Sequence, residues 1–440
     1  MTLATAAALA LPAGASAAIP WSTPAPIPNA TGGPAQSAFT LAGHGAVLSA
    51  QVRGPGLAPS QLAAVAADGS VTARLPLEFA EAHLSTYANN RLIVAGRTLA
   101  TSGPNVGTLD DTSTVVTRTG SPSALGATRT VPGSKGRQLY ALDSNRDGLA
   151  ALVIGSLRTR TVLVRKPGST TFSAKLTIKV SNRARGATVA VGDAGNVLFV
   201  YEDDHEIRAR HIGPRGTVGK VHRLGAGVQS DLQALVGDDG RLLVAWKSQR
   251  VNEGESATPA IVSFITAAPG HNFGSARRVA TVGAVGAGRY VAPPGVRLVA
   301  AGDGALLAYT GFDGTNYTVE ARQVSGGHLG TAQRLTPIGF DAVLGDADAN
   351  AKGQIVTWRA NIAGADPNIG PGGQQAHTPV FANVRGAGGG QFGGAEAVSP
   401  ADADVPYVPT AAIDPVSGRS IVAYGMFNPP GVLIAARPAS

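Results

Sequence analysis

Between Ala187 and Leu224 the apolar positions fall into four short runs: Thr188 to Val191, Val197 to Tyr201, Ile207 to His211 and Val218 to Leu224. The breaks between them carry turn chemistry, with GDAG supplying Asp and Gly, EDDHE a charged reversal, and GPRG a Pro and Gly turn. Four strands joined by short turns predict one small antiparallel sheet. The second run, VLFVY, is apolar at successive positions, so both faces of that sheet must be covered. Further copies of the unit would supply the cover.

The pattern recurs along the chain. An apolar residue followed six positions later by another marks eight fourth strands, at Trp21/Ile27, Val71/Leu77, Leu125/Val131, Phe172/Ile178, Val218/Leu224, Phe273/Val279, Leu329/Leu335 and Phe392/Val398. Gly126, Gly219, Gly274, Gly330 and Gly393 follow the first member of the pair. Second strands end on an aromatic at Tyr201, Trp246, Tyr309, Trp358 and Tyr424, residues expected to pack between units, and third strands end on Arg118, Arg165, Arg210, Arg322 and Arg437. These arginines read as stems lying over apolar surface with solvated heads. After Arg437 only three residues remain, so the last unit lacks its fourth strand; the matching segment, WSTPAPI from Trp21 to Ile27, lies at the other end of the chain. Its prolines suit an edge strand, and pairing it into the last unit would close a ring.

A period near 50 residues, a four-stranded unit and this complementation of the two ends resemble a β-propeller. The expected fold is all-β, with eight four-stranded antiparallel blades (seven the alternative count), a leader at 1–17 and one propeller domain at 18–440. The details D-x-G-N, a second-strand Trp or Tyr, A-x-R and then F-G also resemble an uncharacterised repeat of large secreted bacterial proteins. That resemblance implies architecture and brings no activity with it.

Composition adds three limits. Abundant glycine (58) and proline (29) suit a fold of many turns, and the absence of cysteine removes disulfides, thiolate zinc sites and cysteine nucleophiles. The net charge of +8 is spread thinly, with no Lys/Arg run longer than two, which argues against a nucleic-acid partner. Leu3 to Leu11 followed by Ala15-Ser16-Ala17 reads as a secretory signal peptide, although no Lys or Arg precedes the apolar core. No later stretch is apolar enough to span a bilayer, so a secreted monomer is expected.

Candidate chemistry is sparse. In a propeller the loops from second to third strand and from blade to blade share one face, and the long ones fall on blades five to eight. They nominate Arg250, Glu253, Arg289, Tyr290, Asp366, His377, Asp404 and Tyr407 as ligand-binding residues for an extracellular glycan or protein. Asp143, Asn145 and Asp147 open like a calcium loop, but Ala151 stands at the ninth position and no carboxylate closes it, so no cofactor is expected. His205-Glu206 begins a zinc motif that its strand context and Ala209 do not complete. Nucleophile elbow and P-loop motifs are absent, and no catalytic residue is nominated. The expected function is a binding or surface-interaction module; the alternative is an extracellular glycan hydrolase or lyase of the sialidase kind, whose Asp box no unit carries.

Overall fold

The structure is a computed structural model that describes residues 20–30, 34–53, 56–66, 68–87, 90–100, 109–227, 231–249, 259–283, 295–361, 378–426 and 430–439. Its regular elements are all strands, gathered in eight antiparallel sheets, and among the described residues no helix is long and apolar enough to cross a membrane. In chain order the inner strands are Ala35–Phe39, Phe79–Tyr87, Gln138–Ser144, Ala187–Val191, Asp231–Val236, Val296–Ala301, Asp341–Asn350 and Thr410–Ile413. Each touches the inner strand before and after it, and the eighth touches the first. The chain is an eight-bladed β-propeller.

The blade at 187–226 shows how the sequence builds the repeat. Its strands are Ala187–Val191, Val197–Asp203, Glu206–Ile212 and His222–Ala226. Asp203 pairs with Glu206 across a two-residue turn, where Asp204 and His205 hold φ of 49° and 64°, the left-handed geometry of a type I′ hairpin. The fourth strand starts four residues later than the apolar pattern implies, because Val218 makes only an isolated bridge to Ile212 before the chain bends. In blades two and six the outer strand is split in two, at Ala124–Leu125 with Arg129–Thr130 and at His328–Leu329 with Gln333–Arg334.

Eight apolar cores alternate with the eight blades, one at each blade-to-blade interface. Second-strand aromatics anchor them as expected. Trp246 is buried against Leu198, Val200 and Leu224 of blade four and donates its indole N–H to the Ala226 carbonyl at 3.0 Å. Trp358 is buried in the core between blades six and seven and Tyr424 in the core between blades seven and eight. Burying an aromatic of this size in a shared core contributes on the order of 2–3 kcal/mol, so the blades hold one another.

The third-strand arginines are less solvated than their pattern implies: Arg165 and Arg437 are buried, and Arg118, Arg210 and Arg322 are half-buried. The Arg118 guanidinium donates to the carbonyls of Gly126 and Leu125 at 2.9 and 3.1 Å, and Arg322 donates to Gly330. The same glycines donate their N–H to the residue after the arginine, Thr119 or Gln323. A Cβ at either glycine would lie 3.3 Å from that carbonyl oxygen. In blades two and six the arginine and the glycine are therefore two halves of one clasp between third and fourth strands, whereas Arg165 donates to the Gly148 carbonyl and Arg437 to Glu396.

Ring closure uses both chain ends. Ala25 and Pro26 pair with Ile434 and Leu433, and Ser22 and Ile27 extend the ladder to Ala436 and Val432. Glu396 of blade seven fixes the joint: its carboxylate accepts from Arg437 at 2.8 and 3.0 Å and from the Trp21 indole at 3.0 Å.

A second set of bonds laces the inner strands. An inner strand is a sheet edge with unpaired N–H groups, and in every even blade at least one such N–H is taken by a side chain of the preceding odd blade. Gln36 accepts from Leu84, Asp143 from Val191, Asp231 from Val296 and Asp348 from Ile413, at 2.8–3.1 Å. Gln36 and Asp231 lie toward the start of their strands, on the face of the blade connections; Asp143 and Asp348 lie toward the end, on the face of the first hairpins.

Candidate functional site

On the connection face, where the inner strands of blades one to three begin, a cavity of about 470 Å³ opens against the axial channel. Pro34, Ala35, Gln36, Leu48, Glu81, Ala82, His83, Gln138 and Leu139 line it. Its shape follows from local backbone. In blade two the register shifts between Ala80 and His83, inserting Glu81 and Ala82 as a bulge, with Glu81 at φ 47°. Bulges bend a strand and re-aim side chains, and a left-handed glutamate is an uncommon conformation held by its surroundings. Gly96 on the neighbouring strand makes room, since a Cβ there would lie 2.3 Å from the Phe79 ring.

The polar groups are preorganised. Gln36 donates to the Ala82 carbonyl at 3.4 Å and accepts from the Leu84 N–H at 3.0 Å. Gln138 accepts from the Tyr140 hydroxyl at 2.7 Å. Glu81 pairs with buried Arg97 at 3.2 Å. His83 has no side-chain hydrogen bond among the described residues, and burial in the cavity wall holds its imidazole down at about 4. At neutral pH it is uncharged, with one donor and one acceptor to offer. The cavity thus presents amide, imidazole and a charge-balanced carboxylate over an apolar floor, a combination suited to a polar, uncharged group.

Arg250, Glu253, Arg289, Tyr290, Asp366 and His377 fall outside the described residues. Asp404 and Tyr407 lie together on the connection from blade seven to blade eight, as expected. That connection is tied down: Arg359 donates to the carbonyls of Val405 and Pro406, and Thr378 accepts from the Val405 N–H at 2.7 Å and donates to its carbonyl at 3.0 Å. Neither residue lines the cavity.

The inner strands of blades five to seven carry a half-buried charge cluster. Arg297 of blade six bonds Asp346 of blade seven at 3.0 Å and lies 3.9 Å from Asp231 of blade five. Burial lowers the Lys247 ammonium to about 8 against the opposing pull of Asp231. The opening of the supposed calcium loop is a hairpin turn engaged with the next blade. Asp143 accepts from Val191, while Asn145 donates to the Gly192 carbonyl and accepts from the Leu149 N–H. Among the described residues no three His, Asp or Glu side chains gather as a metal site.

Solved structures agree on architecture. The chain is similar to the Dos1 propeller, with a TM-score of 0.53 and 8% identity over 95% of both chains. It is also similar to the hydrazine synthase of Kuenenia stuttgartiensis, at 0.44 and 10% over 93% of this chain and 97% of that one, and to TolB from Acinetobacter baumannii, at 0.35 and 13% over 80% and 81%. No protein-family model and no curated protein matches the sequence. At such identities the likeness is one of fold, and fold does not carry function.

The cavity residues gave no signal in the sequence. Gln36, Glu81, His83 and Gln138 are spread over about 100 positions and stand in three repeats at places where other repeats carry unrelated residues. Only the bulge, which the alternation in FAEAHLSTY does not reveal, brings Glu81 and His83 to one wall.

Proposed function

We propose that this propeller is an exported binding module that takes a polar, uncharged group, such as one sugar of an extracellular glycan, at the axial cavity of blades one to three. The observation that carries the reading is the meeting of Gln36, His83 and Gln138 around 470 Å³ of open space on a rigid ring. Pockets of this size with a few fixed polar groups are typical of small-ligand sites. A pyranose offers hydroxyls that both donate and accept, which the two amides and a neutral imidazole match. Export rests on the apolar core from Leu3 to Leu11 and the small residues after it.

The test is a glycan array probed with the protein and with Gln138→Ala and His83→Ala. Retention of a specific glycan by the parent and its loss from both variants supports the reading. Binding unchanged in both variants places the ligand elsewhere, and turnover of a retained glycan replaces recognition by hydrolysis or lysis.

A further inference from the structure

The charge that is thinly spread along the sequence is concentrated in space. Lys135 and Arg137 lie on the connection entering blade three, Arg158 on its second-to-third turn, Lys179 at the end of its outer strand Ser173–Lys179, and Arg183 and Arg185 on the connection leaving it. All six stand on the connection face. Hydrogen bonds hold the three segments together: the Val180 N–H donates to the Arg158 carbonyl at 3.0 Å, Arg160 donates to the Ala184 carbonyl at 2.9 Å, and Arg137 donates to Thr161 at 2.9 Å. Five of the six are exposed and Arg137 is half-buried.

None of the six forms a salt bridge with a described residue, whereas Arg97, Arg208 and Arg223 on the two neighbouring blades do. The nearby carboxylates are few. Glu202 is buried and accepts from the Arg185 backbone, Asp203 is paired with Arg208, and Asp110 is turned onto Thr112 and Ser113. Asp111 and Asp204 remain exposed at the two sides of the patch. Arg183 reaches only His205, at 3.2 Å. Leu157, 72% exposed, sits among the cations beside Arg158.

Six cations without a salt bridge, gathered at one edge where few carboxylates are open, form an electrostatic footprint for an anion, and arginines match the two-oxygen geometry of carboxylate and sulfate. We infer that the connection face of blade three binds a polyanionic polysaccharide, its uronate or sulfate groups lying along the six cations from the channel rim to the outer strand. A polysaccharide fits better than single-stranded nucleic acid, which needs open rings for base stacking; the neighbouring Tyr140 ring is already covered by the Arg160 guanidinium, 4.1 Å from its centroid. None of the six cations lines the axial cavity, and the inference does not depend on it.

The experiment measures binding of the full chain to immobilised polygalacturonate and heparin from 50 to 500 mM NaCl, with duplex and single-stranded DNA as competitors. The comparison is between the parent, Arg158→Glu/Arg183→Glu/Arg185→Glu, and a control, Arg215→Glu/Lys220→Glu, on the opposite face. Binding by the parent that weakens steeply with salt, falls at least tenfold in the triple variant and stays within twofold in the control establishes the site. An equal loss in the control, no retention of either polysaccharide at 50 mM, or preference for DNA over both overturns it. Circular dichroism of the variants separates lost binding from lost fold.

Discussion

Replacing Glu396 by alanine removes the carboxylate that ties the two chain ends to blade seven. The Arg437 side chain is 7% exposed and that of Glu396 14%, so the pair has little solvent to fall back on. Breaking a buried ion pair from one side costs about 3–5 kcal/mol because the remaining charge stays buried. Loss of the Trp21 indole bond adds about 1 kcal/mol. With an unfolding entropy of about 2.1 cal/mol/K per residue over roughly 420 residues, a deficit of about 4–6 kcal/mol lowers the melting temperature by about 4–7 °C. Differential scanning calorimetry reads this directly. The double variant Glu396→Met/Arg437→Met removes both charges, and buried pairs exchanged for apolar residues recover much of the loss; it is expected to melt above the single variant. A single variant within 1 °C of the parent, or a double variant no more stable than the single, would refute the view that this joint closes the ring.

Three further outcomes follow from the geometry. Gly126→Ala places a methyl 3.3 Å from the Thr119 carbonyl and is expected to cost about 1–2 kcal/mol, whereas Gly274→Ala, at the same motif position with nothing within 4 Å, is expected to be neutral or to stabilise by about 0.5 kcal/mol; equal effects in urea unfolding would contradict the clasp. Asp348, raised to about 6 by burial, favours the fold when protonated, so its contribution is complete below about 3.8 and is lost as pH rises through 6. The stability difference between the parent and Asp348→Asn should shift against the parent by up to about 3 kcal/mol from pH 4 to 8, and a flat difference would count against it. His83 acts in the opposite sense, its contribution full above 6.5 and lost as pH falls towards 4; an imidazole NMR titration with a midpoint at 6 or above would remove the neutral imidazole from the cavity.

The architecture was legible in the sequence because a repeated unit reports itself eight times. Runs such as VLFVY at Val197 mark strands, turn residues mark hairpins, and the missing fourth strand after Arg437 reveals the closure. Some detail was hidden even so. The Arg118–Gly126 clasp looks like two unrelated motif positions until the strands are paired, and the late start of the strand at His222 follows from a bend that apolar spacing does not encode. The candidate site was harder, because it depends on departures from the repeat. His83 reaches the cavity through a bulge, and six cations between Lys135 and Arg185 become one patch only when turns from three segments are stacked on one edge. Loop length pointed to blades five to eight, where most nominated residues lie outside the described structure; the described cavity and patch belong to blades one to three, whose loops are shorter or unremarkable in sequence.

The lacing of odd onto even blades gives the ring an unequal pair of rims. Near the connection face the fasteners are Gln36, which does not ionise, and Asp231, which keeps Arg297 beside it. On the hairpin face they are Asp143 and Asp348, both raised to about 6 by burial. Blades three and seven are four apart in a ring of eight, so these two carboxylates face each other across the axis. As pH falls through about 6 these two carboxylates take up protons at diametrically opposed points on one rim, which relieves the cost of burying their charge. A change of pH therefore reaches this propeller along one diameter of its hairpin face, and it is a rise above 6, not mild acid, that loads that rim.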